Sequence, residues 1–244
     1  MWRGWVVSGR SGVRGNQTIA DIAKAYLTRH HRFMWTRTII AACLGATVTI
    51  ASTAQACSVV RGYRVPTTLQ LVEGSDAIVL AKVKAGAVNS EFGFRRASLV
   101  PIALLKGDRL PQQIHYEYGA ISSRRWKAVA SDRRNLQEPN PDVFSGGCNR
   151  QVFESGMLVV TFLKKEGSAY VVNAPPFSRA LEDVPSPDAL WVKAVKIYVK
   201  IAALPGMKRR KAMEAERARL TATKNDPDAA LLARELGRAL HEKP

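Results

Sequence analysis

Residues 157–172 read MLVVTFLKKEGSAYVV. Residues 157–163 form a nearly continuous apolar run, the pattern of a strand buried on both faces. Lys164-Lys165-Glu166-Gly167 supplies a turn, and residues 169–172 return as the second arm of a hairpin. Upstream, residues 76–83 (DAIVLAKV) are rich in β-branched side chains and stop short of Gly86, which predicts a strand. Residues 92–105 make a second run broken by Pro101, a residue that fits a sheet edge or a bulge. Lys106-Gly107-Asp108 turns the chain, and residues 113–118 alternate with the period of two of a half-buried strand. A short helix over residues 67–74 (TTLQLVEG), capped by Thr67 or Thr68, precedes the first strand. Five short strands, a glycine-marked hairpin and one long insertion predict a mostly β fold. Its expected form is a small OB-like Greek-key barrel followed by C-terminal α-helices.

Prolines 175, 176, 185 and 187 mark residues 176–187 as a Pro-rich linker, so that 188–244 becomes a basic helical extension. Asp188 is placed to cap a first helix over residues 190–203. There Leu190, Ala194, Ile197 and Ile201 share one face, and Trp191, Val195, Tyr198 and Ala202 form an adjacent stripe. Lys193, Lys196 and Lys200 share the remaining face. Such a helix either packs on the barrel or lies in an anionic membrane or wall surface with the lysines at the headgroups. Pro205-Gly206 ends it, a charged helix follows over 208–220, and Asn225-Asp226-Pro227 restarts the chain. Leu232, Leu236 and Leu240, with Ala229 and Ala233 beside them, form the apolar stripe of the last helix.

The 244 residues carry 37 Lys+Arg against 20 Asp+Glu, a formal charge of +17, and 46% hydrophobic residues. That composition excludes a wholly disordered chain and allows one or two domains. No apolar run reaches 18 residues, which excludes a multi-pass helical membrane protein. Residues 29–58 read RHHRFMWTRTIIAACLGATVTIASTAQACS. A basic flank, an apolar centre over 38–50 and Ala54-Gln55-Ala56 predict a secretory signal cut after Ala56, the alternative being a buried core helix. Residues 1–56 are thus a signal region, with Met34 as a second possible start. Removing them takes away seven Lys/Arg and one Asp, which lowers the charge from +17 to +11. A lipid-attachment site is the competing reading, because Cys57 sits at the cut, but Ala54 is a poor match to the large aliphatic residue it needs. The chain is therefore expected to be exported, periplasmic or extracellular. Its anionic partners there are membrane surface, wall polymers and acidic proteins, with no nucleic acid expected.

After that cut two cysteines remain. In an oxidising compartment they predict a Cys57–Cys148 disulfide closing a loop of about 90 residues. The alternative is a reactive Cys148 thiol, for which the sequence offers only His115 and His241 as bases. Residues 119–147 form a long basic loop with Arg124, Arg125, Lys127, Arg133 and Arg134 around Trp126. Arg124, Arg125, Trp126 and Lys127 are candidates for binding a polyanion, against the alternative of a solvated insertion.

Cys57-Ser58 after the signal, residues 74–83 (GSDAIVLAKV), Leu104-Leu105-Lys106-Gly107, Cys148 and residues 153–160 (FESGMLVV) together resemble the netrin-like module of tissue inhibitors of metalloproteinases and their bacterial relatives. The resemblance covers residues 57–175. It implies an OB barrel whose mature chain begins at a disulfide-tethered cysteine. It also implies inhibition of an extracellular zinc metalloprotease, with the amine and carbonyl of Cys57 on the protease zinc and Ser58 in its pocket. Val59 stands where the family usually carries a second cysteine.

No H-E-x-x-H, G-x-S-x-G, P-loop or strand-linked G-x-G-x-x-G motif occurs, so no catalytic or metal-ligating residues are assigned, no cofactor is expected, and an enzyme is disfavoured. The expected function is that of an exported, non-enzymatic binding protein for a protein or polyanionic partner in the cell envelope. Protease inhibition through Cys57 and surface binding through the basic helices are the alternatives.

Overall fold

The computed structural model describes residues 59–89 and 93–241. Residues 1–58, which hold the expected signal region and the expected mature start at Cys57 and Ser58, lie outside the described residues. The elements run in the order α1 (Thr68–Glu73), β1 (Ala77–Val88), β2 (Arg95–Lys106), β3 (Ile114–His115), β4 (Ala120–Ile121), a 3-10 turn (Pro141–Phe144), β5 (Val152–Phe153), β6 (Leu158–Glu166), β7 (Ala169–Val172), β8 (Leu181–Val184), α2 (Leu190–Ala202), α3 (Gly206–Ala222) and α4 (Pro227–His241). This is a mixed eight-stranded sheet followed by helices, as the sequence predicts at that level.

Thr67 opens α1 with a reciprocal cap. Its side chain accepts from the Gln70 amide, and the Gln70 side chain accepts from the Thr67 amide. At the other end the Lys106 ammonium donates to the carbonyls of Val72 and Ser75, both at 2.6 Å. The end of β2 is thereby tied to the last turn of α1, where a cation is favoured.

The sheet order is β3-β7-β6-β1-β2-β4-β5, with β8 also on β6. β3 is parallel to β7 and β4 is parallel to β5, while the other pairs are antiparallel. Only four residues separate β3 from β4 in the chain. The β6–β7 hairpin turns at Gly167, whose φ of 61° is the left-handed conformation that glycine adopts without a Cβ penalty.

β1 and β6 lie in the middle and are buried on both faces. Ala77, Val79, Ala81 and Val83 enter one cluster with Val159, Leu163, Leu99, Ile114, Phe153 and Leu181. Ile78 and Leu80, together with Val160 and Phe162, point the other way, against Leu71, Val72 and the C-terminal helices. The near-continuous apolar runs of these strands follow from that two-sided burial. Pro101 sits opposite Ala81 beside a register shift, and on its other side β4 reaches only Arg96. The ring therefore removes no ladder hydrogen bond from a central strand.

Three expectations change. Residues 176–187 are not a linker, because Leu181–Val184 forms β8 on β6 and Leu181, Glu182 and Val184 are buried. Residues 188–241 are not a separate extension either. Leu190, Trp191, Val195, Tyr198 and Ile201 of α2, Leu220 of α3 and Leu232, Leu236 and Leu240 of α4 share one core with β1 and β6. Each such side chain contributes about 1.5–3 kcal/mol when fully buried, which joins sheet and helices thermodynamically. The strand expected over 113–118 is reduced to two residues, because only Ile114 and His115 pair with β7, while the Tyr116 hydroxyl donates to the Arg150 carbonyl.

Candidate functional site

The basic loop is held down by two neighbouring carboxylates of β8. Asp183 Oδ1 accepts from the Ser131 amide at 2.8 Å and the Ser131 hydroxyl at 2.7 Å. Glu182 Oε1, on a side chain 1% exposed, accepts from the Asn140 amide at 2.8 Å. Asn140 in turn donates to the Val129 carbonyl and accepts from the Asp142 amide, starting the 3-10 turn. Asp142 Oδ2 then accepts from the amides of Gln151 and Val152 at 2.6 and 2.8 Å, which fixes the entry to β5.

Two buried arginines balance these acids. Arg150 pairs with Asp183, donates to the Val129 carbonyl at 3.1 Å and stacks over the Phe153 ring. Arg179 pairs with Glu182, donates to the Asn135 carbonyl at 2.8 Å and lies over Trp191. Burial alone raises the pKa of Asp183, but the Arg150 charge and the Ser131 hydrogen bonds outweigh it and hold the carboxyl below its usual value. Tyr116, whose hydroxyl donates to the Arg150 carbonyl, is pushed well above the usual phenol range, chiefly by burial and also by the Asp142 charge. The expectation of a solvated insertion therefore fails for residues 129–145. Leu136 and Val143 are buried, and the backbone is anchored at Ser131, Asn135 and Asn140.

What this frame presents is a cleft of about 910 Å³ over β2, β4 and β5, next to the β1–β2 connection. Phe94, Arg96, Tyr118, Trp126 and Lys127 line it. The Phe94 and Trp126 rings are 5.7 Å apart and tilted by 51°, and the Arg125 guanidinium stands over Trp126 at 5.9 Å. Trp126 remains 39% exposed and Tyr118 74% exposed, so both side chains are within reach of a ligand. Flat rings flanked by cations suit a ligand that brings both apolar rings and negative charge.

Of the residues singled out from sequence, Trp126 and Lys127 enter the cleft, Arg125 covers its rim and Arg124 is exposed beside them. Lys193, Lys196 and Lys200 lie on α2, away from the cleft lining. Lys193 is bound to Asp228 at 2.7 Å, and Lys196 and Lys200 are exposed. Trp191 and Tyr198 point into the protein core, at 4% and 1% exposure, and are not presented to an outside surface. Cys148 is buried in a left-handed conformation at φ 57°, while its expected partner Cys57 lies outside the described residues.

Sequence reading missed Phe94, Arg96 and Tyr118, because only the strand pairing brings them beside Trp126. It also missed Arg150, Glu182 and Asp183. The charged Glu182-Asp183 pair between prolines was itself the available signal.

Among the described residues no group of three or more His, Cys, Asp or Glu is gathered for a metal, and no helix is long and apolar enough to cross a membrane. No family model, curated protein or solved structure matches the chain.

Proposed function

We propose that the chain is an exported, non-enzymatic binding module. In this reading it holds an anionic, ring-bearing polymer of the cell envelope in the cleft of Phe94, Arg96, Tyr118, Trp126 and Lys127. The observation that carries this is the exposed Trp126 among cations on a loop held rigid by buried ion pairs. A rigid loop loses little entropy on binding, and such an investment in order has no purpose on a merely solvated insertion.

A netrin-like OB barrel is the scaffold we assign. Strand pairing supports it. β1 lies between β2 and β6, β7 follows on β6, and β3 is parallel to β7, so that reading β3 and β4 as one interrupted strand closes the circuit through β2. In barrels of this type the ligand face covers the second and third strands and the loop between the first two. The position of the cleft over β2 and β4 supports that assignment.

The test is binding of the mature protein to anionic wall polymer across a salt series. Affinity should fall as salt rises, and Trp126→Ala should weaken it on the order of tenfold, since a stacked ring is worth about 1–3 kcal/mol. Binding that ignores both salt and Trp126 would reject the reading.

A second reading, inhibition of a zinc metalloprotease by the amine and carbonyl of Cys57 with Ser58 in the protease pocket, draws on one separate observation. The Tyr63 hydroxyl donates to the Pro176 carbonyl at 2.8 Å, and the next residue, Phe177, donates its amide to the Cys148 carbonyl at 2.7 Å. The front of the described chain thus runs close to Cys148, as a Cys57–Cys148 tether requires. Because chelation uses an amine lone pair, acetylating the amine of mature Cys57 should abolish inhibition. Equal potency before and after acetylation would exclude it.

A further inference from the structure

The hairpin of α3 and α4 carries six arginines, and four of them are neutralised. Arg209 pairs with Glu73, Arg210 with Glu214, Arg219 with Glu216 and Arg238 with Glu235. The two without an ion pair among the described residues, Arg217 and Arg234, both line one groove of about 530 Å³ between the helices. His241 lines it too, and among the described residues no carboxylate does.

Gly237 explains how the cations come together. Glycine inside a helix is destabilising relative to alanine, so its presence there calls for a reason. A Cβ at Gly237 would meet Arg217 Nε at 3.3 Å and Cζ at 3.5 Å. The Arg217 guanidinium of α3 therefore lies against the backbone of α4. Arg234 is three residues before that point and His241 four residues after it, so these two side chains and the Arg217 side chain packed between them follow one stripe of α4 at successive turns. Gathering the two guanidinium charges without a counter-ion is unfavourable, and among the described residues that line the groove no carboxylate offsets it. The Thr221 and Thr223 hydroxyls at its edge are committed to the carbonyls of Arg217 and Arg219, which leaves recognition to the cations.

We propose that this groove is a binding site for a phosphate group, separate from the aromatic cleft. Two guanidinium forks and an imidazole approach from two helices. A planar carboxylate satisfies one fork, whereas a tetrahedral phosphate offers oxygens to all three. The same chemistry belongs to free phosphate and to a phosphomonoester lipid headgroup.

The probes are inorganic phosphate, with acetate as the planar control, followed by calorimetry. Vesicles of phosphatidylcholine with and without phosphatidic acid are followed by flotation. The mature protein should bind phosphate saturably and acetate much more weakly. Arg217→Gln/Arg234→Gln should weaken phosphate binding by about tenfold or more, since losing charged hydrogen bonds removes at least one factor of ten. Trp126→Ala should leave it unchanged, which separates this site from the proposed cleft.

Gly237→Ala gives the distinguishing result. Alanine favours the helix and should raise the melting temperature, yet it displaces Arg217 and should weaken phosphate binding severalfold. A merely structural glycine would not split the two readouts in opposite directions. Flotation with phosphatidic acid that disappears in the double variant assigns the headgroup as the source, and flotation indifferent to it assigns free phosphate. Absence of saturable phosphate binding, or binding untouched by the double variant, overturns the site.

Discussion

Asp183→Ala is expected to destabilise the protein by about 3–5 kcal/mol, the loss seen when one member of a buried ion pair is removed and the other stays buried. Arg150 is the residue left behind, with a side chain 1% exposed. Its remaining partners are the carbonyls of Leu181, Val129 and Val152 and the Met157 sulfur, none of which carries a compensating charge. Asp183 also accepts both bonds from Ser131, so the same change releases the basic loop. Urea denaturation gives the stability. Trypsin cleavage at Arg124, Arg125 and Lys127 reports the loop, and it should accelerate in the variant. The double change Arg150→Met/Asp183→Leu removes both charges and should recover most of the global stability, because a buried pair can be replaced by apolar side chains at little cost. It cannot restore the Ser131 anchor, so the loop should stay open to trypsin. A loss below about 1 kcal/mol in Asp183→Ala would place the network among the weak surface pairs and remove the rigid-loop argument with it.

The same group makes the loop acid-sensitive. The folded pKa of Asp183 lies below its unfolded value: burial raises it, but the Arg150 charge and the Ser131 hydrogen bonds lower it by more. A depressed carboxyl contributes stability that is complete above the unfolded value of about 4 and is lost as pH falls through the lower folded value. Trypsin is inactive there, so pepsin is the protease to use, and cutting within the loop should increase as pH is lowered below about 4. The Arg150→Met/Asp183→Leu protein, lacking the group, should show no such step.

How much of this was legible beforehand depends on range. The β6–β7 hairpin, β1 and the three C-terminal helices announce themselves through local pattern: two-sided apolar runs, a turn glycine, and Asp226-Pro227 at a helix start, where the Asp228 amide indeed donates to Asp226. Residues 181–184 did not, since LEDV between prolines reads as punctuation. Glu182 is buried and Asp183 largely covered only because Arg179 and Arg150 arrive from elsewhere to pair with them. Local pattern carries no information about such partners, and so the prolines alone predict a linker where the chain forms a strand. The same limit applies to the proposed binding cleft. Trp126 among basic residues was visible, whereas Phe94 and Arg96 become its neighbours only through the pairing of β2 with β4, which rests on Arg96 and Ala120. Trp191 and Tyr198 illustrate the converse. An amphipathic helix with aromatics suits a membrane surface or a protein core equally well, and only the presence of Leu71, Val160 and Leu236 against it decides the matter.

Cys148→Ala is expected to lower stability by about 2–5 kcal/mol, and Cys57→Ala by the same amount, if the two are joined as proposed. The environment of Cys148 argues for a constraint from outside its own loop. It is 2% exposed and holds φ 57°, a conformation that costs a non-glycine residue about 1–2 kcal/mol and persists only where surrounding structure enforces it. The Phe177 amide holds the Cys148 carbonyl, and Tyr63 reaches Pro176 beside it, so the chain six residues beyond Cys57 already lies next to the site. A bridge there would close a loop of about 90 residues, for which the chain-entropy estimate is about 4–5 kcal/mol. The decisive comparison is the double variant. Two cysteines in one bond lose it only once, so Cys57→Ala/Cys148→Ala should be no less stable than either single change. Additive losses, or a Cys57→Ala protein as stable as the parent, would separate the two residues. That outcome would also detach the proposed mature amine from the sheet, and with it remove the tether on which the proposed zinc ligation by Cys57 depends.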